Sequence, residues 1–420
     1  MRLRTYILGA FMVLICAVFF IWFLPAARVS FSNDNADASA AGSIAATSSA
    51  STADDYATTT PAPPPPFVVT HISTPDPVKA FYFTSWAAGT PSFQKEMWSL
   101  LDGSTELDSI VIDVKDYSGR VGYIVDDPRF KDPLIDSVGS AQDRIPDIEQ
   151  FLAALHAKGV YVIGRVAVFQ DPYATTVHPE WAVTDARTDK PWKDAGGAYW
   201  LDPDSSDAWA YIAAIAKQAY AVGFDEINFD YVRFPSDGAI SDAVFARIAT
   251  TTKTASTTTF MTKAEVITSF FSYLHDELSS SGIPISVDLF GQTTSETNDM
   301  GIGQIIENAF PYFDFVDPMV YPSHFADGFQ GYAHPALHPY EIVKYSMGTA
   351  VARAIAASST PSKLRPWLQA FDLGAVYTPA MVDAQKQATY DVGLDSWLLW
   401  NAGAIYSRAE VSASTSASMI

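Results

Sequence analysis

The stretch GFDEINFDYVRFPSDG, residues 223–238, decides how the chain folds. Apolar and polar residues alternate along it, the period of a β-strand. Glu226, Asn228 and Asp230 fall on one parity, Ile227 and Phe229 on the other. Three polar side chains on one face of a core strand are costly unless that face meets something polar. The expectation is that this face opens onto a barrel mouth and that Asp230 does chemistry there.

Seven other runs read as strands: KAFYFT (79–84), SIVIDVK (109–115), VYVIGRVAVF (160–169), PISVDLFG (284–291), DFVDPMVYP (314–322), RPWLQAF (365–371) and DSWLLWNAG (395–403). Helical periodicity fits 91–101, 146–158, 205–222, 263–280, 302–310, 340–357 and 379–392. Pro146-Asp147 and Asp204-Ser205 read as helix starts, and Gly159, Gly223 and Gly282 as stops. This alternation predicts parallel βα units. Eight of them over roughly 330 residues close into an α/β fold of the (β/α)8 TIM-barrel type. The rival layout is an open dinucleotide-binding sheet, which needs a Gly-rich turn after its first strand. Here that strand runs into TSWAAGTP, which lacks G-x-G-x-x-G.

In such a barrel the active site lies at the C-terminal ends of the strands. Polar and aromatic residues gather there. Asp113 and Lys115 end strand two, and alternation puts them on one face. Strand three carries Arg165. Strand four ends with Asn228, Asp230, Tyr231 and Arg233, and strand five carries Asp288. Tyr321 and His324 follow strand six, Gln369 lies in strand seven and Trp400 ends strand eight. A group like this is costly without a ligand or mutual pairing. Pairing is the alternative, with Arg165 or Lys115 neutralising Asp113.

The long segment 170–204 brings Tyr173, Trp181, Trp192, Tyr199 and Trp200. Their faces suit sugar rings, or they pin the loop to the barrel. The connection 235–262 contains TTTKTASTTTF and reads as a lid or an insertion. His334 and His338 are each followed by proline, so no helical metal pair forms there. No metal and no cofactor are expected.

Composition narrows the partners. The formal net charge is −21 with no basic run, so nucleic acid is excluded as a partner. The one cysteine, Cys16, allows no intramolecular disulfide and no cysteine-ligated metal. Residues 1–27 carry Arg2 and Arg4 and then no charge, and about 20 apolar residues span a bilayer core. They are expected to form a transmembrane signal anchor, or else a signal peptide cleaved near Pro25-Ala26-Ala27. Either places the remainder outside the cytoplasm, bound to the membrane or secreted. Residues 28–76, rich in Ser, Thr, Ala and Pro, read as a disordered linker, and 407–420 as a disordered tail.

At GFDEINFDYVRFP the chain resembles a bacterial glycoside hydrolase domain family of (β/α)8 barrels, distantly similar to the alpha-amylase superfamily. The resemblance covers about 78–406 and includes DVKD (113–116), WLDP (200–203), VDLFG (287–291) and DPMVYPSH (317–324). It implies hydrolysis of glycosidic bonds in a poly- or oligosaccharide, of the cell envelope or beyond it, by two carboxyl groups. By position Asp230 is the nucleophile or base. Asp288 is the acid, with Asp113 as its rival. Lys115, Arg165, Trp200, Asn228, Tyr231, Arg233, Tyr321, His324, Gln369 and Trp400 are the expected substrate-binding residues. Two departures stand out. The strand-five acid is usually Glu, and the Arg two residues before the nucleophile is here Asn228. Neighbouring strands lie roughly 4.8 Å apart, which favours a short carboxyl separation and retention. The alternative is an inactive barrel that binds glycan or serves as a structural envelope protein.

Overall fold

A computed structural model describes residues 67–246 and 260–412. The expected membrane segment, 1–27, lies outside these residues, as do most of the linker and part of the 235–262 connection. Among the described residues no helix is long and apolar enough to cross a membrane.

Eight parallel strands close into a barrel. They are β1 (Lys79–Phe83), β2 (Ser109–Lys115), β3 (Tyr161–Ala167), β4 (Glu226–Asp230), β5 (Ile285–Phe290), β6 (Phe315–Met319), β7 (Trp367–Gln369) and β8 (Trp397–Trp400). The pairing that excludes an open sheet joins first strand to last: Lys79, Ala80 and Phe81 lie against Trp397, Leu398 and Leu399. The longer helices are α1 (Pro91–Leu100), α2 (Ile148–His156), α3 (Ser206–Val222), α4 (Lys263–Ser279), α5 (Pro339–Ala356) and α6 (Pro379–Tyr390). Helix α3 shows why the elements form where they do. The Ser205 side chain caps its first turn, alanines let it press on the sheet, and Gly223 at φ 121° ends it.

Two expected elements are shorter than their patterns. The alternation of 223–238 runs on past Asp230, yet β4 stops there, because Tyr231 turns into the left-handed region at φ 54°. The helical pattern at 302–310 yields only Ile306–Ala309. Gly303, at φ 87°, runs so close to α4 that an added Cβ would lie 2.8 Å from the Lys263 carbonyl oxygen.

Alternation along the strands separates two interiors. Phe81, Ile110, Val162, Ile227, Val287, Leu368 and Leu399 face outward beneath the helices. Inside the barrel, Ala80, Tyr82, Val111, Tyr161, Ile163 and Leu398 make one half apolar. The opposite half, from β4, β5 and β6, is polar: Glu226, Asn228, Ser286, Asp288 and Asp317, all at most 1% exposed.

Glu226 therefore does not face an opening, as its parity with Asp230 had suggested. It lies at the barrel floor, where Arg365 answers it. The Arg365 guanidinium donates to Glu226 at 2.6 and 3.1 Å and to Asp317 at 2.9 and 3.0 Å, and it stacks on Phe315. Ser286 adds a 2.6 Å bond to Glu226. Buried charge is tolerated because every lone pair facing the cation is used.

The barrel's ordered chain extends beyond the expected boundaries. Residues 67–76, read as linker, run along the base. Asp225, just before β4, accepts from the Ile72 and Val162 N–H groups at 2.7 and 2.8 Å and lies 3.0 Å from His156. His71 stacks on Tyr220 and Thr74 meets the Tyr161 hydroxyl. At the other end, within the expected tail, Val411 is fully buried and its carbonyl accepts from Glu106.

Replacing Arg365 with Met should cost about 3–5 kcal/mol, since two buried carboxylates lose their cation. Replacing Arg365, Glu226 and Asp317 together with apolar residues of similar size should recover most of that loss. Urea unfolding of the two variants beside the parent checks both outcomes.

Candidate active site

The mouth is organised by Arg165. It projects from β3 into the barrel and is 4% exposed. Its Nη1 donates to Asp113 Oδ1 at 2.6 Å. Its Nε reaches Asp230 Oδ2 at 3.1 Å, with Nη2 bonded to the same oxygen. Asp288 Oδ2 lies 4.0 Å from Nε. Strands β2, β3, β4 and β5 thus bring Asp113, Asp230 and Asp288 around one guanidinium. Arg165 and Asn228 are direct register partners on β3 and β4. The cation beside Asp230 thus comes from the neighbouring strand.

The three carboxyl groups have different surroundings. Asp113 is 2% exposed and accepts a 2.6 Å bond from the Tyr82 hydroxyl. Burial raises its pKa to about 6 against the opposing pull of Arg165 and Tyr82. Asp288 is 1% exposed, and its Oδ1 accepts from Trp367 Nε1 at 2.7 Å and Asn228 Nδ2 at 2.8 Å. Burial, then the charges of Asp230 and Asp317, raise it well above the usual carboxylate range. Its surroundings favour the neutral form. Asp230 is the most exposed of the three, at 7%, and its Oδ1 accepts from the Tyr231 N–H at 2.6 Å. Tyr231 itself is left-handed, a rare conformation for a bulky residue and one that clusters at functional sites.

The remaining expected residues divide. Trp400 stacks on Tyr82 at 3.9 Å and lies under Arg165 at 4.9 Å. Tyr321 is buried, within the fields of Asp288 and Asp230. Tyr231 is half-buried beside Asp230, and Arg233 lies against the rings of Trp200, Phe290 and Tyr231 at 4.8–5.7 Å. Asn228 sits one level below, donating to Ser286, Asp288 and Asp317. Burial lowers His324 to about 4, so it is neutral, packed between Tyr321 and Phe371.

Three residues are committed elsewhere. Lys115 is fully buried, because a bulge between Asp113 and Lys115 shifts its register. Its ammonium pairs with Asp171 at 2.9 Å and bonds the Ala167 carbonyl. Gln369 spends its amide on the Ser323 N–H and the Phe371 carbonyl, tying two loops together. Trp200 is 1% exposed and donates to Asp194, so it pins its loop.

Sequence reasoning missed Tyr82, Trp367, Asp317 and Arg365. Tyr82 and Trp367 were hidden because aromatics in strands read as ordinary core. Asp317 and Arg365 had a signal, a charge within or just before a buried strand, but one shared with any surface strand end.

A recess of about 400 Å³ opens at the opposite end, near His275, Asp314 and Lys363. It is remote from the carboxyl groups and already satisfied. Lys363 bonds the Phe310 and Phe313 carbonyls, Asp314 accepts from Ile285, and His275 meets the Tyr312 carbonyl.

A closed barrel with carboxyl groups converging at its mouth can now be set beside known proteins. Residues 80–406 match the sequence pattern of a family described as "Putative glycosyl hydrolase domain". The chain belongs to that family. A hypothetical protein from Ruminiclostridium thermocellum is 30% identical over 53% of this chain and 98% of its own, with a TM-score of 0.41. The PgaB (BpsB) glycoside hydrolase domain from Bordetella bronchiseptica is 15% identical, covers 81% of this chain and 100% of its own, and has a TM-score of 0.55. At that identity the likeness is one of fold. An alpha-galactosidase from Thermus thermophilus is 11% identical over 79% of this chain and 59% of its own, with a TM-score of 0.46. No protein with a curated description matches the chain.

The raised carboxyl at Asp113 has a consequence for stability. The folded state holds its proton up to about pH 6, while the unfolded chain releases it near 3.8. The folded state therefore binds more protons in that window, and this group makes stability fall as pH rises through it. Asp113→Asn should flatten the dependence between pH 4 and 6 relative to the parent, as read from melting temperatures across that range.

Proposed function

We propose that the chain hydrolyses glycosidic bonds of a poly- or oligosaccharide at this mouth, with Asp230 as nucleophile and Asp288 as general acid. One observation carries the reading: Asp230, the most exposed of the three acids, and Asp288, whose surroundings favour its neutral form, flank the same Arg165 Nε, at 3.1 and 4.0 Å. Paired carboxyl groups whose surroundings push their protonation apart are what glycoside hydrolysis needs. Family membership supplies the reaction class.

The steps follow from that arrangement. Asp288 gives its proton to the leaving glycosidic oxygen as the bond to the anomeric carbon breaks. Asp230 forms a bond to that carbon, its second lone pairs being free of Arg165 and the Tyr231 N–H. Water then attacks the same carbon, returning a proton to Asp288 and releasing Asp230, so configuration is retained. Asp113 is the rival acid, held by Tyr82 and Arg165. Trp400, Tyr231 and Tyr321 line the space for the sugar. The apolar N-terminal run supports an extracytoplasmic location and a cell-envelope or extracellular glycan.

One observation favours a second reading. Arg165 already binds both Asp113 and Asp230, as in a barrel whose mouth is closed by internal ion pairs. Such a chain would bind glycan or only shape the envelope.

Asp230→Asn should lower release of reducing ends from a cleaved polysaccharide by a factor on the order of 10³, with retention on that glycan unchanged. Asp288→Asn should slow hydrolysis of substrates with poor leaving groups most. If the wild-type protein releases no reducing ends from envelope or storage polysaccharides, the second reading replaces the first.

A further inference from the structure

Trp86 is the exposed tryptophan among those described, at 58%, while the others are buried or half-buried. It lies on the short helix Ser85–Gly89, directly after β1 and so at the mouth end of the barrel. A ring left in water forgoes the stabilisation of burial, and this one stands at the mouth rather than in the core.

The ring is not loose. The Arg144 guanidinium lies 4.8 Å from its centroid. Arg144 is itself 6% exposed and fixed on every side: by Asp116 at 2.6 Å, Ser85 Oγ at 3.1 Å, Gln142 Oε1 at 2.9 and 3.0 Å, and Ser118 Oγ at 3.3 Å. A rigid cation thus braces one side of the indole and leaves much of it in solvent. Tyr117, 45% exposed, follows Asp116 in the loop after β2. Asp116 is the carboxylate that holds Arg144, so Trp86 and Tyr117 flank one buried ion pair at the β1–β2 lip.

We propose that Trp86 and Tyr117 form a second carbohydrate subsite, a stacking platform for a pyranose ring one or more units from the scissile bond. The proposal rests on reading the mouth as a sugar site and deepens it: the substrate is a chain rather than a disaccharide. The axial C–H face of a pyranose is complementary to the negative face of an aromatic ring. The ring is held ready, so little ordering cost falls on binding. The protein's net charge of −21 works against glycans bearing carboxylate or sulfate groups. The occupant is thus an uncharged or cationic polysaccharide.

The test uses the full chain carrying Asp230→Asn and measures retention on chitin, chitosan, cellulose, curdlan and starch. Retention on at least one is expected. Adding Trp86→Ala and Tyr117→Ala should weaken it about tenfold, while Trp86→Phe with the native tyrosine keeps most of it. Both ring positions are exposed, so melting temperatures should stay at the parent value. Equal retention by the double variant, or retention on none of the five, overturns the platform. If binding needs both rings but the chain with Asp230 intact releases no reducing ends from the retained polymer, the platform stands and the hydrolase reading falls. Hydrolysis of the retained polymer that is unaffected by losing both rings does the opposite.

Discussion

The interior of this barrel is arranged around charge balance among side chains buried from solvent. Five carboxyl groups, Asp113, Glu226, Asp230, Asp288 and Asp317, share the interior with two guanidiniums, Arg165 and Arg365. Each arginine takes two acids as close partners: Arg365 binds Glu226 and Asp317, and Arg165 binds Asp113 and Asp230. Asp288 is the fifth acid, and the nearest cation stands 4.0 Å away. Burial and the neighbouring charges of Asp230 and Asp317 outweigh that distant cation and raise Asp288 well above the usual carboxylate range. The reactive asymmetry at the mouth is thus a by-product of how the whole interior is neutralised.

Strand β4 expresses this logic along one line. Glu226 at its start is locked to the floor. Asn228 in its middle has no charge to balance and bridges Ser286, Asp288 and Asp317 through its amide. Asp230 at its end is the most exposed of the three, at 7%. One parity of one strand carries a structural anchor, a connector and a candidate nucleophile. What separates their roles is depth in the barrel, which sets both the dielectric and the partners available.

Much of the architecture was legible because alternation and helix punctuation are local signals. Strand existence, order and closure follow from runs of apolar residues, and the mouth acids follow from their place at strand ends. The family resemblance seen at GFDEINFDYVRFP is matched over 80–406. What could not be read depends on where side chains go after the strand is formed. Lys115 shares a parity with Asp113 in the sequence, yet one bulge turns its ammonium to Asp171. Gln369 and Trp200 look like ligands and serve as fasteners. Arg365 lies 139 residues from Glu226, too far for any local pattern to show that they meet. The linker boundary failed for a similar reason: residues 67–76 have no strong pattern of their own and are ordered by the Asp225 node beneath them.

That node also fixes a direction. Asp225 fastens the incoming chain at the heel of the barrel, and the acids stand at the toe, a strand's length of roughly 20 Å away. The described chain therefore enters the barrel at its back, and the segment from residue 67 to β1 leaves the mouth at the front uncovered.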